Sequence, residues 1–117
     1  MKRITLRSKI HGARVTAINL EYEGSIEIDE QILDAADMLP NEMVLVVNIT
    51  TGTRFETYIM RGERGSRVIA LNGGAARLGE VGDELIVMAT ALASAEEIET
   101  HIPRIVRLDA ENRVVTQ

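Results

Sequence analysis

Short apolar runs with a two-residue period, cut at close intervals by glycine, asparagine, aspartate or threonine, recur along the whole chain and constrain its fold more than any other feature. Ile4, Leu6 and Ile10, then Ile18, Leu20 and Tyr22, then Ile26 and Ile28 alternate with polar residues. That period predicts successive short strands over residues 3–28, punctuated at Gly12 and at Glu23-Gly24. Met43 to Ile49 is a β-branched run, Thr50-Thr51-Gly52-Thr53 reads as a turn, and Arg54 to Met60 returns from it, so a hairpin is expected. Arg67 to Asn72 and Glu84 to Leu92 add further strands. Two segments break the pattern. Asp29 caps a short helix whose apolar face is Ile32, Leu33, Ala36 and Leu39 and which Pro40 stops, and Ser94-x-x-Glu97 opens a second with a capping box before Pro103. Residues 104–117 read as a terminal hairpin.

Strands this short and numerous leave edges that must be hidden, and closure into a barrel hides them. An echo between Leu39-Pro40-Asn41-Glu42-Met43-Val44 and Val81-Gly82-Asp83-Glu84-Leu85-Ile86 points to a duplicated half, with position 39 matched to position 81. The expected fold is all-β, a small barrel with two short helices, formed by 1–117 as a single domain.

Composition narrows the partners. Aromatics are only 3% of residues, so no platform for stacking bases is available. Thirteen Lys and Arg against 18 Asp and Glu give a net charge of -5, which repels a phosphate backbone, so no nucleic acid is expected. The absence of cysteine removes thiolate nucleophiles and Cys-based metal sites. No apolar run follows Met1-Lys2-Arg3, and the longest one, Leu85 to Ala93, falls far short of a bilayer span of roughly 20 residues. A cytoplasmic location with no membrane partner is expected. His11 and His101 are too far apart and too lightly accompanied to suggest a metal site.

Elbow, phosphate-loop, dinucleotide and zinc-helix signatures are missing. A Gly-Ser pair leaving a strand is, on its own, a turn. Tyr22-Glu23-Gly24-Ser25-Ile26-x-Ile28-Asp29, however, is preceded by Lys9-x-His11 and followed by Asn48-x-Thr50-x-Gly52-x-Arg54-Phe55-x-Thr57-Tyr58, then Glu63-Arg64-Gly65-Ser66 and Asn72-Gly73-x-Ala75-Ala76. In that order and spacing, from about Arg3 to Ala89, the chain resembles the pyruvoyl-dependent aspartate decarboxylases. Gly74 stands where that family usually carries Ala, and the segment after Ser94 matches only in being variable.

The resemblance implies a double-psi β-barrel, a homotetramer, and self-cleavage into 1–24 and 25–117. In such proteins the hydroxyl of Ser25 attacks the carbonyl of Gly24, and the resulting ester eliminates and hydrolyses to a pyruvoyl group, sometimes with a maturation factor. That covalent cofactor forms a Schiff base with L-aspartate and serves as electron sink while CO2 leaves, giving β-alanine for pantothenate synthesis. Glycine at 24 would permit backbone conformations that a Cβ forbids, and Ser25 supplies both nucleophile and cofactor skeleton.

By the same resemblance Arg54 and Lys9 face the substrate carboxylates, and Asn72 with Gly73, Gly74 and Ala75 donates hydrogen bonds to substrate. Thr57 bonds the Gly24 carbonyl oxygen during cleavage and also contacts substrate, and Tyr58 protonates the carbanion, with His11 and Tyr22 as further candidates. The two-residue period sets Arg54 and Tyr58 on one face of their strand and Thr57 on the other, which calls for a bulge or a site shared between subunits. The rival readings are a noncatalytic double-psi barrel used for binding or assembly and a small DNA-binding barrel. The Gly24-Ser25 pair speaks against the first and the charge against the second.

Overall fold

The computed structural model describes residues 1–115. Among them eight strands follow in order: β1 (Lys2–Arg14), β2 (Ala17–Asn19), β3 (Ser25–Asp29), β4 (Met43–Asn48), β5 (Arg54–Gly62), β6 (Ile69–Asn72), β7 (Glu84–Ser94) and β8 (Arg104–Arg107). Helix α1 (Glu30–Ala36) separates β3 from β4, a 3₁₀ turn (Gly73–Leu78) separates β6 from β7, and α2 (Ala95–Thr100) follows β7. The all-β reading with two short helices holds.

The strands form one mixed sheet in the order β2-β6-β3-β5-β4-β7-β1-β8. Because β1 runs almost directly into β2, one continuous stretch of chain borders β7 at one end and β6 at the other, and the sheet closes on itself. The closing residues are Val15, whose N–H donates to Asp83 O at 3.0 Å, and Thr16, whose N–H donates to Ile69 O at 2.8 Å. Strand β8 lies outside the ring, parallel to β1. Ile10, Val15, Ile26, Ile28, Val46, Ile59, Ile69, Leu71, Leu85 and Val87 fill the interior at 2% exposure or less. Each such side chain contributes about 1.5–3 kcal/mol relative to leaving it in water, so this aliphatic interior is the main source of stability.

The duplicated half is real, but its register is one residue off the sequence match. Asn41 (φ 74°) and Gly82 (φ 94°) occupy equivalent left-handed positions. Asn41 N–H donates to Ile59 O and Gly82 N–H to Val15 O, both at 2.8 Å, while Ile59 N–H reaches Glu42 O and Val15 N–H reaches Asp83 O, both at 3.0 Å. Even the side chains agree: Glu42 accepts from Leu39 N–H at 3.1 Å and Asp83 from Glu80 N–H at 2.9 Å. Position 39 therefore matches 80 rather than 81. Two parallel pairings, β2 with β6 and β3 with β5, sit at equivalent places in the two halves, the crossed arrangement expected of a double-psi barrel.

The local signals decide where elements end. Asn48 shapes the β4–β5 turn by accepting from Thr50 N–H at 3.0 Å and Thr51 N–H at 3.2 Å, and Gly52 supplies the left-handed residue. Asp29 caps α1 through Gln31 N–H at 2.8 Å. The helix buries Ile32, Leu33 and Ala36, but it stops at Asp37 in the left-handed region, three residues before Pro40. Leu39 is consequently 64% exposed rather than part of the apolar face. The capping box of Ser94 and Glu97 forms as expected. Gly12 does not punctuate the first strand: β1 passes through it by a bulge between His11 and Ala13, where a Cβ would stand 2.9 Å from Leu108 O. In place of a regular terminal hairpin, β8 pairs with β1 and, among the described residues, only Leu108 and Val114 bridge beyond it. Residues 116 and 117 of that expected hairpin lie outside the described residues.

Candidate active site at the Gly24–Ser25 junction

Ser25 opens β3 opposite Asn72 of β6 and is fully buried. Ile26 and Ile28 turn into the barrel, so alternation sends Ser25 to the outer face, where Asn72 and Met60 cover it. Its Oγ accepts from Asn72 Nδ2 at 3.1 Å and lies 3.1 Å from Glu23 O and 2.9 Å from Met60 Sδ. The hydroxyl carries one proton, so only one of the last two can receive it at a time. Asn72 begins the 3₁₀ turn yet makes no side-chain cap bond to it, because its amide is turned to Ser25.

The segment that enters the junction rests on Gly73. This residue has φ 61°, and a Cβ built on it would fall 2.5 Å from Gly24 N and 2.7 Å from Tyr22 O. Gly24 does not show the constraint expected of it: its φ is not in the left-handed region, and an added Cβ would meet nothing nearer than Gly74 N at 3.9 Å. The stretch from Gly73 to Ala76 is also not an open loop. Gly73, Ala75 and Ala76 are buried in the 3₁₀ turn, and Gly74 alone is exposed.

Strand β5 carries the next group. Thr57 is buried, Tyr58 half-buried and Arg54 exposed, with Arg54 and Tyr58 on the same face. Parallel pairing of Ile26 with Ile59, continued back along both strands, sets Tyr58 beside Ser25 and Thr57 beside Gly24. The expected bulge is absent: β5 pairs with β4 without interruption from Met43↔Tyr58 to Val47↔Arg54. Arg54 therefore stands four residues, roughly 13 Å, from Tyr58. Among the described residues, the Ser25 hydroxyl accepts from Asn72 and donates to Glu23 O or Met60 Sδ, and makes no bond to Thr57.

Lys9 and His11 lie elsewhere on the barrel. Lys9 pairs with Met88, Met88 with Leu45, and Leu45 with Glu56; His11 joins Arg54 in the next row through Ile86 and Val47. At about 4.8 Å per strand, three spacings separate β1 from β5 by roughly 14 Å, and β3 is one strand further. The outer surface between them is apolar, with Leu45, Val47, Ile86 and Met88 half-buried and Met43 59% exposed. Nδ1 of His11 is buried and lacks a hydrogen-bond partner among the described residues. Tyr22 is 58% exposed over the junction and, with Glu21, Glu23 and Met60, lines a cavity of about 300 Å³. A larger cavity of about 630 Å³, beneath the turn at Asn112, contains no part of this cluster.

The family model for aspartate decarboxylase matches residues 1–115. The chain belongs to the aspartate decarboxylase family. It is 57% identical to the aspartate 1-decarboxylase of Caldicellulosiruptor saccharolyticus over 110 residues, covering 94% of this chain and 86% of that protein. To that of Staphylococcus aureus (strain MSSA476) it is 51% identical over 115 residues, 98% of this chain and 91% of that protein. To that of Pelotomaculum thermopropionicum it is 54% identical over 110 residues, 94% of this chain and 83% of that protein.

For this member of the aspartate decarboxylase family, the chain thus gathers Tyr22, Gly24, Ser25, Thr57, Tyr58, Asn72, Gly73, Gly74 and Ala75 at one end of β3 and leaves Lys9, His11 and Arg54 apart. Met60 was missed by sequence reasoning. It sits two residues beyond Tyr58 on the same face, and only the pairing of β3 with β5 reveals that this face meets Ser25. No cluster of three or more His, Cys, Asp or Glu that could hold a metal occurs among the described residues, and no helix there is long and apolar enough to cross a membrane.

Proposed function

We propose that this chain is an L-aspartate 1-decarboxylase that first cuts its own backbone between Gly24 and Ser25, converting Ser25 into a pyruvoyl group. The observation that carries the reading is the fully buried Ser25 hydroxyl, held by Asn72 at a junction seated on Gly73, in a chain of this family. The residues present fit such a group. Ser25 supplies its atoms, Asn72 Nδ2 is already within 3.1 Å to donate to an oxygen there, and the cavity beside Tyr22 and Met60 leaves space for a small amino acid. Once formed, the pyruvoyl group supplies the electron sink for the charge left when CO2 departs.

The protein's own groups do the rest. In cleavage, the Thr57 hydroxyl, one strand from Gly24, donates to the Gly24 carbonyl oxygen as negative charge develops there. In turnover, the Arg54 fork and the Lys9 ammonium bind the two substrate carboxylates, and Asn72 with the 73–75 backbone orients the substrate. Tyr58 holds the phenolic proton that the product carbon receives. Arg54 and Lys9 stand too far from Ser25 to serve it within one subunit, which supports assembly into a homotetramer with sites between subunits. The apolar outer face of Met43, Leu45, Val47, Ile86 and Met88 is the surface another copy would cover, and His11 and Tyr22 lie at its margins. The product, β-alanine, would feed pantothenate synthesis in the cytoplasm.

Intact-mass measurement and a CO2 release assay on one preparation test the reading. Two fragments meeting at Gly24 and Ser25, together with β-alanine formed from aspartate, are expected. Repeating the measurement with and without cell extract shows whether a maturation factor takes part. A single uncut chain after prolonged warming with extract overturns the proposal.

A further inference from the structure

The tight contact at the junction belongs to Gly73 rather than to the glycine next to the cut. Backbone atoms of Tyr22 and Gly24 lie where a side chain at position 73 would begin, 2.5 Å from Gly24 N, 2.7 Å from Gly24 Cα and 2.7 Å from Tyr22 O. None of the three can rotate aside. A Cβ at Gly24, by contrast, would meet only Gly74 N at an ordinary 3.9 Å, and one at Gly74 would meet nothing within 4 Å. One residue before Gly73, Asn72 donates to Ser25 Oγ at 3.1 Å. Adjacent residues of one turn therefore fix both partners of the same bond: Asn72 holds the hydroxyl, and Gly73 supports the backbone that carries the carbonyl.

We propose that Gly73 is a positioning residue for self-cleavage, whose lack of a side chain lets the Gly24 backbone rest where the Ser25 hydroxyl can reach its carbonyl carbon. The proposal rests on the reading of Gly24–Ser25 as the bond that is cut. The step it serves forms the bond from Ser25 Oγ to Gly24 C, breaks the bond from Gly24 C to Ser25 N, and moves the hydroxyl proton to that nitrogen. Restoring ordinary contact around an added Cβ moves the segment by about 1 Å, and a misplacement of that size costs on the order of 10²-fold in a step that depends on orientation.

Three variants test it. Gly73→Ala introduces the collision. Gly52→Ala shares the left-handed backbone (φ 83°) but meets nothing within 4 Å, so it carries the strain alone. Inserting one glycine between Leu20 and Glu21, in an exposed loop, slackens the entering segment and leaves Gly73 intact. Cleavage is followed by intact mass, folding by thermal melting, and ester formation by hydroxylamine, which opens an ester and leaves amides whole. Wild type and Gly52→Ala should cleave at the same rate. Folded Gly73→Ala and the insertion variant should cleave about 10²-fold more slowly, with no extra fragment released by hydroxylamine. Cleavage of either within threefold of wild type overturns the proposal, as does full release by hydroxylamine, which would place the defect after the ester. If Gly73→Ala does not fold, the insertion variant decides. A wild type that stays whole overturns the self-cleavage reading itself.

Discussion

Asp29→Asn probes the contact that anchors the far end of the strand carrying Ser25. The Asp29 carboxylate is 1% exposed, and its oxygens accept three backbone N–H groups: Oδ1 takes Gln31 at 2.8 Å and Gly65 at 3.0 Å, and Oδ2 takes Arg67 at 2.7 Å. Asparagine keeps one oxygen for Gln31 and Gly65 but sets an NH2 against the Arg67 N–H. One bond to a charged group, worth about 1.5–3 kcal/mol, is lost, and the other two fall to neutral bonds of about 1 kcal/mol each. The combined cost is about 2.5–7 kcal/mol, which lowers Tm by roughly 10–30 °C in a domain of this size. Calorimetry in a Ser25→Ala background keeps the chain whole, so that cleavage does not confound the melting curve. A destabilisation below about 1 kcal/mol would refute the reasoning, because it would mean that the three N–H groups find other partners at little cost.

Tyr58→Phe should cleave normally yet form β-alanine about 10²-fold more slowly, measured by mass and CO2 release; an uncut variant would move Tyr58 into maturation, and a fully active one would remove it from proton delivery. Arg54→Lys keeps the charge and loses the fork, so KM for aspartate should rise while cleavage is unaffected, and an unchanged KM would leave Arg54 a surface charge. Thr57→Val preserves shape and strand preference, so it should fold and assemble but cleave at least about tenfold more slowly; cleavage at the wild-type rate would exclude the Thr57 hydroxyl. The Ser94 backbone N–H, and then the Ser94 hydroxyl, hold the Glu97 carboxyl below its ordinary pKa. Its contribution to α2 is therefore present above the usual carboxylate range and lost as pH falls through the lowered value, so amide protection in residues 95–100, taken relative to the intrinsic exchange rate at each pH, should fall on acidification in wild type and show no such step in Glu97→Gln.

What could be read from the sequence was local, and what escaped was pairing across the chain. The β4–β5 hairpin, the Asp29 cap and the Ser94–Glu97 capping box each depend on residues within a few positions, and all three formed. Leu39 was misplaced because its spacing continues the helical period, while Asp37 leaves that period by adopting φ 54°. A glycine in an alternating run signals a break or a bulge equally well, and at Gly12 the pairing of β1 with β7 selects the bulge. The parallel partners β1–β8, β2–β6 and β3–β5 join segments with no local signal of contact, and Met60 was missed for that reason. Ser25 itself was picked out by its resemblance to a family, since a Gly-Ser pair has no chemistry of its own to distinguish it from a turn.

The internal symmetry explains why the Gly24–Ser25 junction lies where it does. β3 and β6 run antiparallel at the centre of the two halves, and each leads into a helical turn, α1 after Asp29 and the 3₁₀ turn after Asn72. In both cases the start of that turn grips the loop that enters the other strand. Asp29 holds Gly65 and Arg67 ahead of β6, and Asn72 with Gly73 holds Tyr22 to Ser25 ahead of β3. The chemistry of the grip differs between the ends. At Asp29 an acceptor meets three backbone N–H groups, which satisfies them and leaves nothing to react. At Asn72 a donor meets a hydroxyl, which orients an oxygen lone pair and leaves its proton to either the Glu23 carbonyl or the weakly accepting Met60 sulfur. The scaffold supplies the same close contact twice, and the exchange of an acceptor for a donor, over a glycine with no side chain, makes one copy a structural cap and the other a buried hydroxyl held against its own backbone.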